Sequence, residues 1–160
     1  MNNTLEILEP EARATALKPA KQKILLVDDD PAIRQILLRL LTDENYSVIP
    51  AANGVEASAF AEVTKFDLVL LDLNMPIKDG WETFEQLSAQ NPLLPFILIT
   101  ARPNQLFPAL ASGVGALLEK PLDFVKLFST IRTLLEEPED ARLARYMGRS
   151  SVFSYIPPIP

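Results

Sequence analysis

The stretch LVLLDLNMPIKDG, residues 68–80, joins a short apolar run to an aspartate and then to a loop of turn-forming residues. The run Leu68–Leu71 has no polar residue for either face, which is typical of a strand buried inside a parallel sheet. Asp72 ends this strand, Met75–Gly80 is predicted to be a loop, and Trp81–Gln90 is predicted to be a helix. This pattern indicates one repeat of a β-α-β architecture.

The same alternation extends in both directions along the chain. Strands are predicted at Lys23–Val27, Tyr46–Ala51, Leu68–Leu71, Phe96–Thr100 and Ala116–Glu119. Helices are predicted from Pro31 to about Leu41, then at Val55–Val63, Trp81–Gln90, Gln105–Ser112 and about Leu122–Glu136. Pro50 places the second strand at an edge of the sheet, because proline lacks the amide that a central strand must donate. Five strands alternating with five helices predict an α/β domain in which helices cover both faces of a parallel sheet.

The two ends of the chain differ from this pattern. Residues 1–22 are predicted to be a flexible arm, with a short helix possible around Leu5 to Leu17. Residues 138–160 are predicted to be a tail, with a short helix over Pro138–Met147 and an extended, proline-rich end. The domain therefore covers residues 23–137, and the tail is too short to be a DNA-binding or catalytic output domain.

Composition excludes several classes of function. The 160-residue chain has a formal net charge of −6, so it is not expected to bind nucleic acid. It contains no cysteine and no histidine, which excludes thiol catalysis, zinc–thiolate sites and histidine-based triads. No apolar run is long enough to span a bilayer and no secretory signal is recognisable, so a cytoplasmic protein is expected.

Charged residues stand at the ends of three predicted strands. Asp28 and Asp29 follow the first strand, Asp72 ends the third, and Lys120 follows the fifth. Ligands of open α/β sheets bind at the carboxyl ends of the strands, so neighbouring first and third strands would bring the three carboxylates together. Their mutual repulsion favours a cation among them, and oxygen ligands of this kind suit Mg²⁺. The alternative role of each aspartate is to cap a helix, and Asp30 is assigned that role.

The chain resembles the receiver domain of bacterial response regulators over about residues 22–137. The matching pieces are Asp28-Asp29 after ILLV, Asp72 within LVLLDLNMPIKDG, Thr100-Ala101 after FILI, and Lys120-Pro121. The resemblance implies a flavodoxin-like, doubly wound fold with strand order 2-1-3-4-5, as in CheY-like single-domain regulators. It also implies a cis peptide bond before Pro121.

The resemblance implies a role for each matching residue. Asp72 is the phosphoacceptor, which receives a phosphoryl group from a histidine kinase or a histidine phosphotransfer protein. Mg²⁺ is implied to be bound by Asp28, Asp29, Asp72 and the backbone carbonyl of Asn74, with Asp28 acting largely through water. The groups implied to contact the phosphoryl oxygens are Thr100, Ala101 and Lys120. The chain would promote its own phosphorylation and dephosphorylation without being a turnover enzyme.

Two positions depart from the usual family pattern. Many members carry tyrosine or phenylalanine three residues before the lysine, and Leu117 stands there in this chain. The aromatic ring of those members swings inward on activation, so the conformational response of this chain is expected to differ. Arg102 follows Thr100-Ala101, and its side chain either reaches toward the phosphoryl group or is a solvated loop cation.

The last predicted helix carries more apolar residues than one buried face requires, namely Phe124, Val125, Leu127, Phe128, Ile131, Leu134 and Leu135. The excess is either covered by the C-terminal tail, through Tyr146, Phe153 and Tyr155, or forms a partner or homodimer surface. Tail docking is the preferred interpretation. A downstream protein target is expected to bind the face formed by residues 105–136.

Two other functions remain as alternatives. A phosphatase that uses Asp72 and Mg²⁺ is disfavoured, because haloacid-dehalogenase-type enzymes usually place a second acid two residues after the nucleophile and this chain has Asn74 there. A constitutive scaffold that no longer signals is disfavoured because all the pocket residues are present, although Leu117 argues mildly for it.

Overall fold

The computed structural model describes residues 19–76, 80–149 and 152–160. The strands are β1 (Lys23–Val27), β2 (Ser47–Ala51), β3 (Leu68–Asp72), β4 (Phe96–Thr100), β5 (Ala116–Glu119) and β6 (Ser154–Ile156). The helices are α1 (Pro31–Asp43), α2 (Gly54–Val63), α3 (Gly80–Gln90), α4 (Leu106–Ser112), α5 (Phe124–Glu136) and α6 (Glu139–Tyr146). The short helix predicted around Leu5 to Leu17 lies outside the described residues.

All strands pair in parallel, in the order β2-β1-β3-β4-β5-β6. The predicted order of the first five strands is confirmed, and β2 with its Pro50 lies at an edge. Since β1 and β3 are neighbours, with Val27 opposite Leu71, the residues that follow them share one end of the sheet. The sixth strand was not predicted, because only an extended end was expected for the tail.

Helices cover both faces of the sheet and create two apolar cores. On one face, side chains of β1, β3, β4 and β5 pack against α2, α3 and α4, with Ala57, Phe84 and Ala109 among the buried helix residues. On the other face, the alternate strand residues pack against Leu37 of α1 and Ile131 of α5. The predicted three-layer flavodoxin-like arrangement is therefore confirmed, and the strands read as continuous apolar runs because both of their faces are buried.

Helix capping fixes the backbone near the strand ends. The Asp30 side chain accepts hydrogen bonds from the amides of Ala32 at 2.9 Å and Ile33 at 3.4 Å, which confirms its predicted capping role. Pro31 occupies the first helical turn, where its missing amide costs nothing. Helix α5 begins at Phe124 rather than at about Leu122, where the sequence predicted its start, because the Asp123 side chain caps the helix by accepting from the Lys126 amide.

The C-terminal tail folds back onto the domain, as predicted, but the expected contacts are wrong. Phe153 packs against the core on the α4 side, while the side chains of Tyr146 and Tyr155 remain 57% and 41% exposed. None of the three aromatic residues therefore covers α5. The tail is held instead by β6, whose Ile156 enters the core on the α5 side.

Helix α6 is attached to the end of α5 by two arginines. Arg145 forms a buried, two-pronged ion pair with Glu137, in which Nη2 lies 2.7 Å from Oε2 and Nη1 contacts Oε1. Arg142 Nη2 donates to the carbonyls of Leu134 and Leu135, at 3.0 and 3.2 Å. These carbonyls end α5 and have no helical partner, so Arg142 satisfies them.

No helix among the described residues is both long and apolar enough to cross a membrane.

Candidate functional site

Three aspartates meet at the carboxyl ends of β1 and β3. Asp28 and Asp29 follow β1 directly and Asp72 is the last residue of β3. Each offers a carboxylate oxygen, and these oxygens all lie within 4.8 Å of one another. Asp28 and Asp72 are buried, whereas Asp29 is exposed. The structure therefore brings the three predicted metal ligands together at a site with one open side.

Lys120 approaches the carboxylates from the end of β5. Its Nζ lies 3.2 Å from Asp72 Oδ2 and 3.8 Å from Asp28 Oδ2. The Lys120 amide donates to the Thr100 carbonyl at 2.8 Å, and this bond extends the pairing of β4 with β5 by one step. The peptide bond before Pro121 is cis, as the resemblance implies.

Backbone amides fix one oxygen of each buried carboxylate. The Asp30 amide donates to Asp28 Oδ1 and the Asn74 amide donates to Asp72 Oδ1, both at 2.9 Å. The second oxygen of Asp72 faces Lys120, but Asp28 Oδ2 is buried without a hydrogen-bond donor. A buried carboxylate oxygen without a donor is costly unless a cation or a water molecule contacts it.

Burial raises the pKa of Asp28 from 3.8 to about 6. The nearby carboxylates of Asp72 and Asp29 contribute to this higher pKa, while the hydrogen bond from the Asp30 amide and the charge of Lys120 act against it. An oxygen-only site with a buried, donor-free carboxylate oxygen and one open side fits a hard cation such as Mg²⁺, which keeps part of its water shell.

Thr100 and Asn74 form the wall of the site between β3 and β4. The Thr100 side chain is fully buried, and its Oγ1 accepts from the Arg102 amide at 2.9 Å and donates to Asn74 Oδ1 at 3.5 Å. Ala101 lies exposed beside it. The use of the Asn74 backbone carbonyl as a metal ligand and the reach of the Arg102 side chain stay predictions.

Two residues that support the site were not predicted from the sequence. Arg34 Nη1 of α1 donates to the Asp28 carbonyl at 2.7 Å and so holds the backbone between the aspartates and the helix. Trp81 Nε1 donates to Gln105 Oε1 at 2.8 Å and so joins the start of α3 to the residue that precedes α4. The position of Arg34 one turn into α1 places it near the acidic strand end, but the sequence does not specify the direction of its side chain or its hydrogen bond.

Gly80 is needed for packing directly against the phosphoacceptor candidate. A Cβ atom at this position would lie 2.6 Å from the Asp72 carbonyl oxygen and would also overlap the backbone of Leu73. The sequence interpretation gave Asp79-Gly80 mainly a turn role. Close approach of α3 to the end of β3 gives Gly80 a second role, which only the three-dimensional packing shows.

A sheet order of 2-1-3-4-5 with three acids, a threonine and a lysine at its carboxyl end is the arrangement of the response regulator receiver domain. The model of that family matches residues 24–132, and the chain belongs to the family.

Among curated proteins, the chain is similar to the transcriptional regulatory protein GlrR of Escherichia coli strain K12. The two are 37% identical over 131 residues, which are 81% of this chain but only 29% of GlrR. The similarity therefore concerns the receiver part, and the activity of GlrR as a whole does not transfer to this chain.

Solved structures give the same result. A CheY-like receiver domain protein from Methanospirillum hungatei JF-1 is 30% identical with a TM-score of 0.70, covering 76% of this chain and 98% of that one. The response regulator TrrA of Thermotoga maritima, in complex with Mg²⁺ and BeF, is 30% identical with a TM-score of 0.66, covering 71% and 98%.

Proposed function

We propose that this chain is a phosphorylation-controlled switch whose Asp72 accepts a phosphoryl group from phosphohistidine on a partner protein. The observation that carries the proposal is the cluster of Asp28, Asp29 and Asp72 oxygens within 4.8 Å, together with Lys120 Nζ at 3.2 Å from Asp72. The receiver would be residues 23–137. The 160 residues contain no histidine, so the donor imidazole would lie outside them.

The transfer requires little covalent chemistry from the protein. An ionised Asp72 oxygen forms a bond to phosphorus while the bond between phosphorus and the donor nitrogen breaks, and the donor imidazole keeps the electron pair. A carboxylate is already deprotonated, so no general base is needed. Water later attacks the phosphorus, which releases inorganic phosphate and regenerates the Asp72 carboxylate. Each chain would hold one phosphoryl group and release it slowly, so the protein would act as a switch and not as a turnover enzyme on a free substrate.

The neighbouring residues stabilise the charge of the transferred group. Lys120 would pair with a phosphoryl oxygen, and the buried Thr100 hydroxyl would donate to another by giving up its long bond to Asn74. The small side chain of Ala101 leaves the open side of the site accessible to the donor and to water. In-line positioning and charge neutralisation are the main requirements of phosphoryl transfer.

The proposed metal ion is Mg²⁺, held by the carboxylates of Asp29 and Asp72, the Asn74 carbonyl, and Asp28 largely through water. When bound, Mg²⁺ would neutralise charge on the phosphoryl oxygens. The donor-free Asp28 Oδ2 supports this assignment. The magnesium and BeF present in the related TrrA structure support it further.

The proposed partners are a histidine kinase or histidine phosphotransfer protein as donor and a protein target that binds the face of residues 105–136. Apolar side chains on this face support the second assignment, since Phe107 of α4 and Val125 of α5 are 79% and 78% exposed. A homodimer through the same face is an alternative occupant. The proposed location is the cytoplasm, and the net charge of −6 supports a role without nucleic-acid binding.

Labelling with acetyl phosphate and Mg²⁺, followed by intact-mass spectrometry, tests the proposal. Wild-type protein should gain at most one phosphoryl group, lose it slowly, and take up none when EDTA removes the metal. Asp72→Asn should abolish labelling and keep the fold, as judged by circular dichroism. The matched control is Asp43→Asn, which changes an exposed aspartate at the end of α1 and should label like wild type.

Labelling of Asp72→Asn at the wild-type rate would show that another residue is the nucleophile. Rapid release of many phosphates per chain would favour the phosphatase alternative. Equal affinity for the protein target with and without beryllofluoride would favour the constitutive scaffold.

A further inference from the structure

The C-terminal strand gives β5 a second neighbour. Without β6, β5 would be an edge strand held only by β4. In the structure, Ala116, Leu117 and Leu118 lie opposite Ser154, Tyr155 and Ile156. The Ser154 amide donates to the Gly115 carbonyl at 3.1 Å at the start of this pairing. The tail therefore pairs with β5 on the side that faces away from β4, as far as Leu118, two residues before the lysine.

Two hydrogen bonds from the tail flank Lys120. The Tyr155 hydroxyl donates to Glu119 Oε1 at 3.0 Å, immediately before the lysine. The Ile159 amide donates to the Pro121 carbonyl at 3.2 Å, immediately after it. The bond to the Glu119 carboxylate also raises the pKa of the Tyr155 hydroxyl. The tail thus contacts the residue on each side of Lys120 without contacting the site itself.

Lys120 has few restraints of its own on its position. It stands in the loop after β5, its side chain is one quarter exposed, and its Nζ must reach Asp72 across the ends of β4 and β3. The bond from its amide to Thr100 restrains it from the β4 side only. A displacement of about 1 Å of a charged group can cost a large factor in rate, because catalysis by positioning requires the group to be held before reaction.

We propose that the C-terminal segment 154–159 positions Lys120 for phosphoryl transfer, with Tyr155 and Ile159 as positioning residues that act through Glu119 and Pro121. The inference rests on the proposed function and deepens it, since it assigns a role in that site to a tail outside the family match at residues 24–132. The exposed ring of Tyr155 adds little to the core, and Ile156 supplies the apolar anchor. The hydroxyl bond is therefore separable from the stability of the fold.

The test is the kinetics of labelling by acetyl phosphate in the full-length protein, with Mg²⁺ affinity measured by titration calorimetry. Tyr155→Phe keeps the ring and removes only the hydroxyl. We expect the labelling rate at saturating donor and Mg²⁺ to fall by roughly threefold to tenfold, while Mg²⁺ affinity stays within about twofold of wild type, because Lys120 is not a metal ligand. The matched control, Tyr146→Phe, removes a tyrosine hydroxyl from α6 and should label like wild type.

A second set of variants tests the route through Glu119. Glu119→Ala should reproduce the slow labelling, whereas Glu119→Gln keeps a carbonyl oxygen that can accept from Tyr155 and should label close to the wild-type rate. Adding Tyr155→Phe to Glu119→Ala should cause no further loss, since both changes remove the same bond. Ile159→Pro removes the amide donor on the other flank and should slow labelling in the same way.

The outcomes separate this inference from the proposed function. If wild-type protein is not labelled at all, the proposed function fails. If wild type is labelled, and Tyr155→Phe and Glu119→Ala are each labelled as fast as wild type, only the positioning role is overturned. A parallel loss of Mg²⁺ affinity and labelling rate would also overturn it, because that result indicates general loosening of the site. Should Ile159→Pro fail to fold, the Tyr155 and Glu119 variants decide the question.

Discussion

Asp28 is a buried carboxyl group with one oxygen that no donor reaches. The Asp30 amide contacts Oδ1, whereas Oδ2 has only Lys120 Nζ at 3.8 Å. Its pKa of about 6 reflects the cost of holding a negative charge in this position next to Asp72. In the absence of a metal ion, the residue therefore opposes folding at neutral pH, and a bound cation would reduce this cost.

Replacement of Asp28 by asparagine should stabilise the metal-free protein at pH 7. The pKa of this carboxyl is about 6 in the folded protein and 3.8 in the unfolded chain. Its ionisation therefore lowers the free energy of unfolding, by the full amount above about pH 6. This loss of stability disappears when the pH falls below 3.8, because the carboxyl is then protonated in both states. Urea denaturation in EDTA should show an increase in the free energy of unfolding of at most about 3 kcal/mol at pH 7, which shrinks toward pH 4.

Asp43→Asn, at an exposed position, is the control and should change the free energy of unfolding by less than about 0.5 kcal/mol at either pH. A destabilised Asp28→Asn at pH 7 would mean that the attraction between Asp28 and Lys120 outweighs burial.

The charged residues of the candidate site could be predicted because each one stands at the end of an apolar strand. Asp28, Asp72 and Lys120 stand where a buried run stops, and parallel strands must bring those ends together. Arg34 could not be assigned in the same way. Its hydrogen bond to the Asp28 carbonyl depends on the direction of a side chain on α1, which sequence spacing does not specify.

At the scale of elements, the start of α3 packs closely against the backbone at the end of β3. Helix α3 begins at Gly80, where a side chain would collide with the Asp72 carbonyl and the backbone of Leu73. The start of α3 is therefore packed against the phosphoacceptor candidate, and a change at the helix start should alter the position of Asp72.

Gly80→Ala should reduce both stability and labelling. The added methyl group meets backbone atoms, which cannot rotate away, so either α3 or the end of β3 must move. We expect a loss of about 1 to 3 kcal/mol in the free energy of unfolding, and a lower labelling rate under conditions where the variant remains folded. Thermal unfolding and acetyl phosphate labelling measure the two effects. A variant with wild-type values in both would show that no such close contact exists.

The elements inside the domain were predictable to within a few residues, whereas β6 was not. β1, β4 and β5 have the predicted bounds because their apolar runs end at charged or turn residues. β6 has only three residues, Ser154–Ile156, which are followed by two prolines. Nothing local predicts a strand in so short a segment, and its formation depends on the unpaired edge of β5, which is distant in the sequence.

At the scale of the whole molecule, the tail is part of the folded unit. Ile156 is buried in the same core as Ile24, Leu70 and Ile131. The last strand of the sheet thus shares a core with β1, the first, so loss of the β6 contact should lower the stability of the whole domain.

Ile156→Ala should lower the free energy of unfolding by about 2 to 4 kcal/mol and keep a single cooperative transition, because a buried isoleucine loses most of its apolar contacts. Ile159→Ala makes the same chemical change three residues later, at an exposed side chain, and should cost less than about 1 kcal/mol. Urea denaturation followed by circular dichroism compares the two. Equal stability of both variants would indicate a tail that is independent of the core.

Proline is present at or next to both margins of this sheet. Pro50 lies within β2, at one margin, and Pro157 and Pro158 follow β6 at the other. A proline cannot donate an amide to an incoming chain, so neither margin offers a continuous template for aggregation. The same segment that extends the sheet by one strand thus also ends in prolines that disfavour the addition of a further strand at that margin.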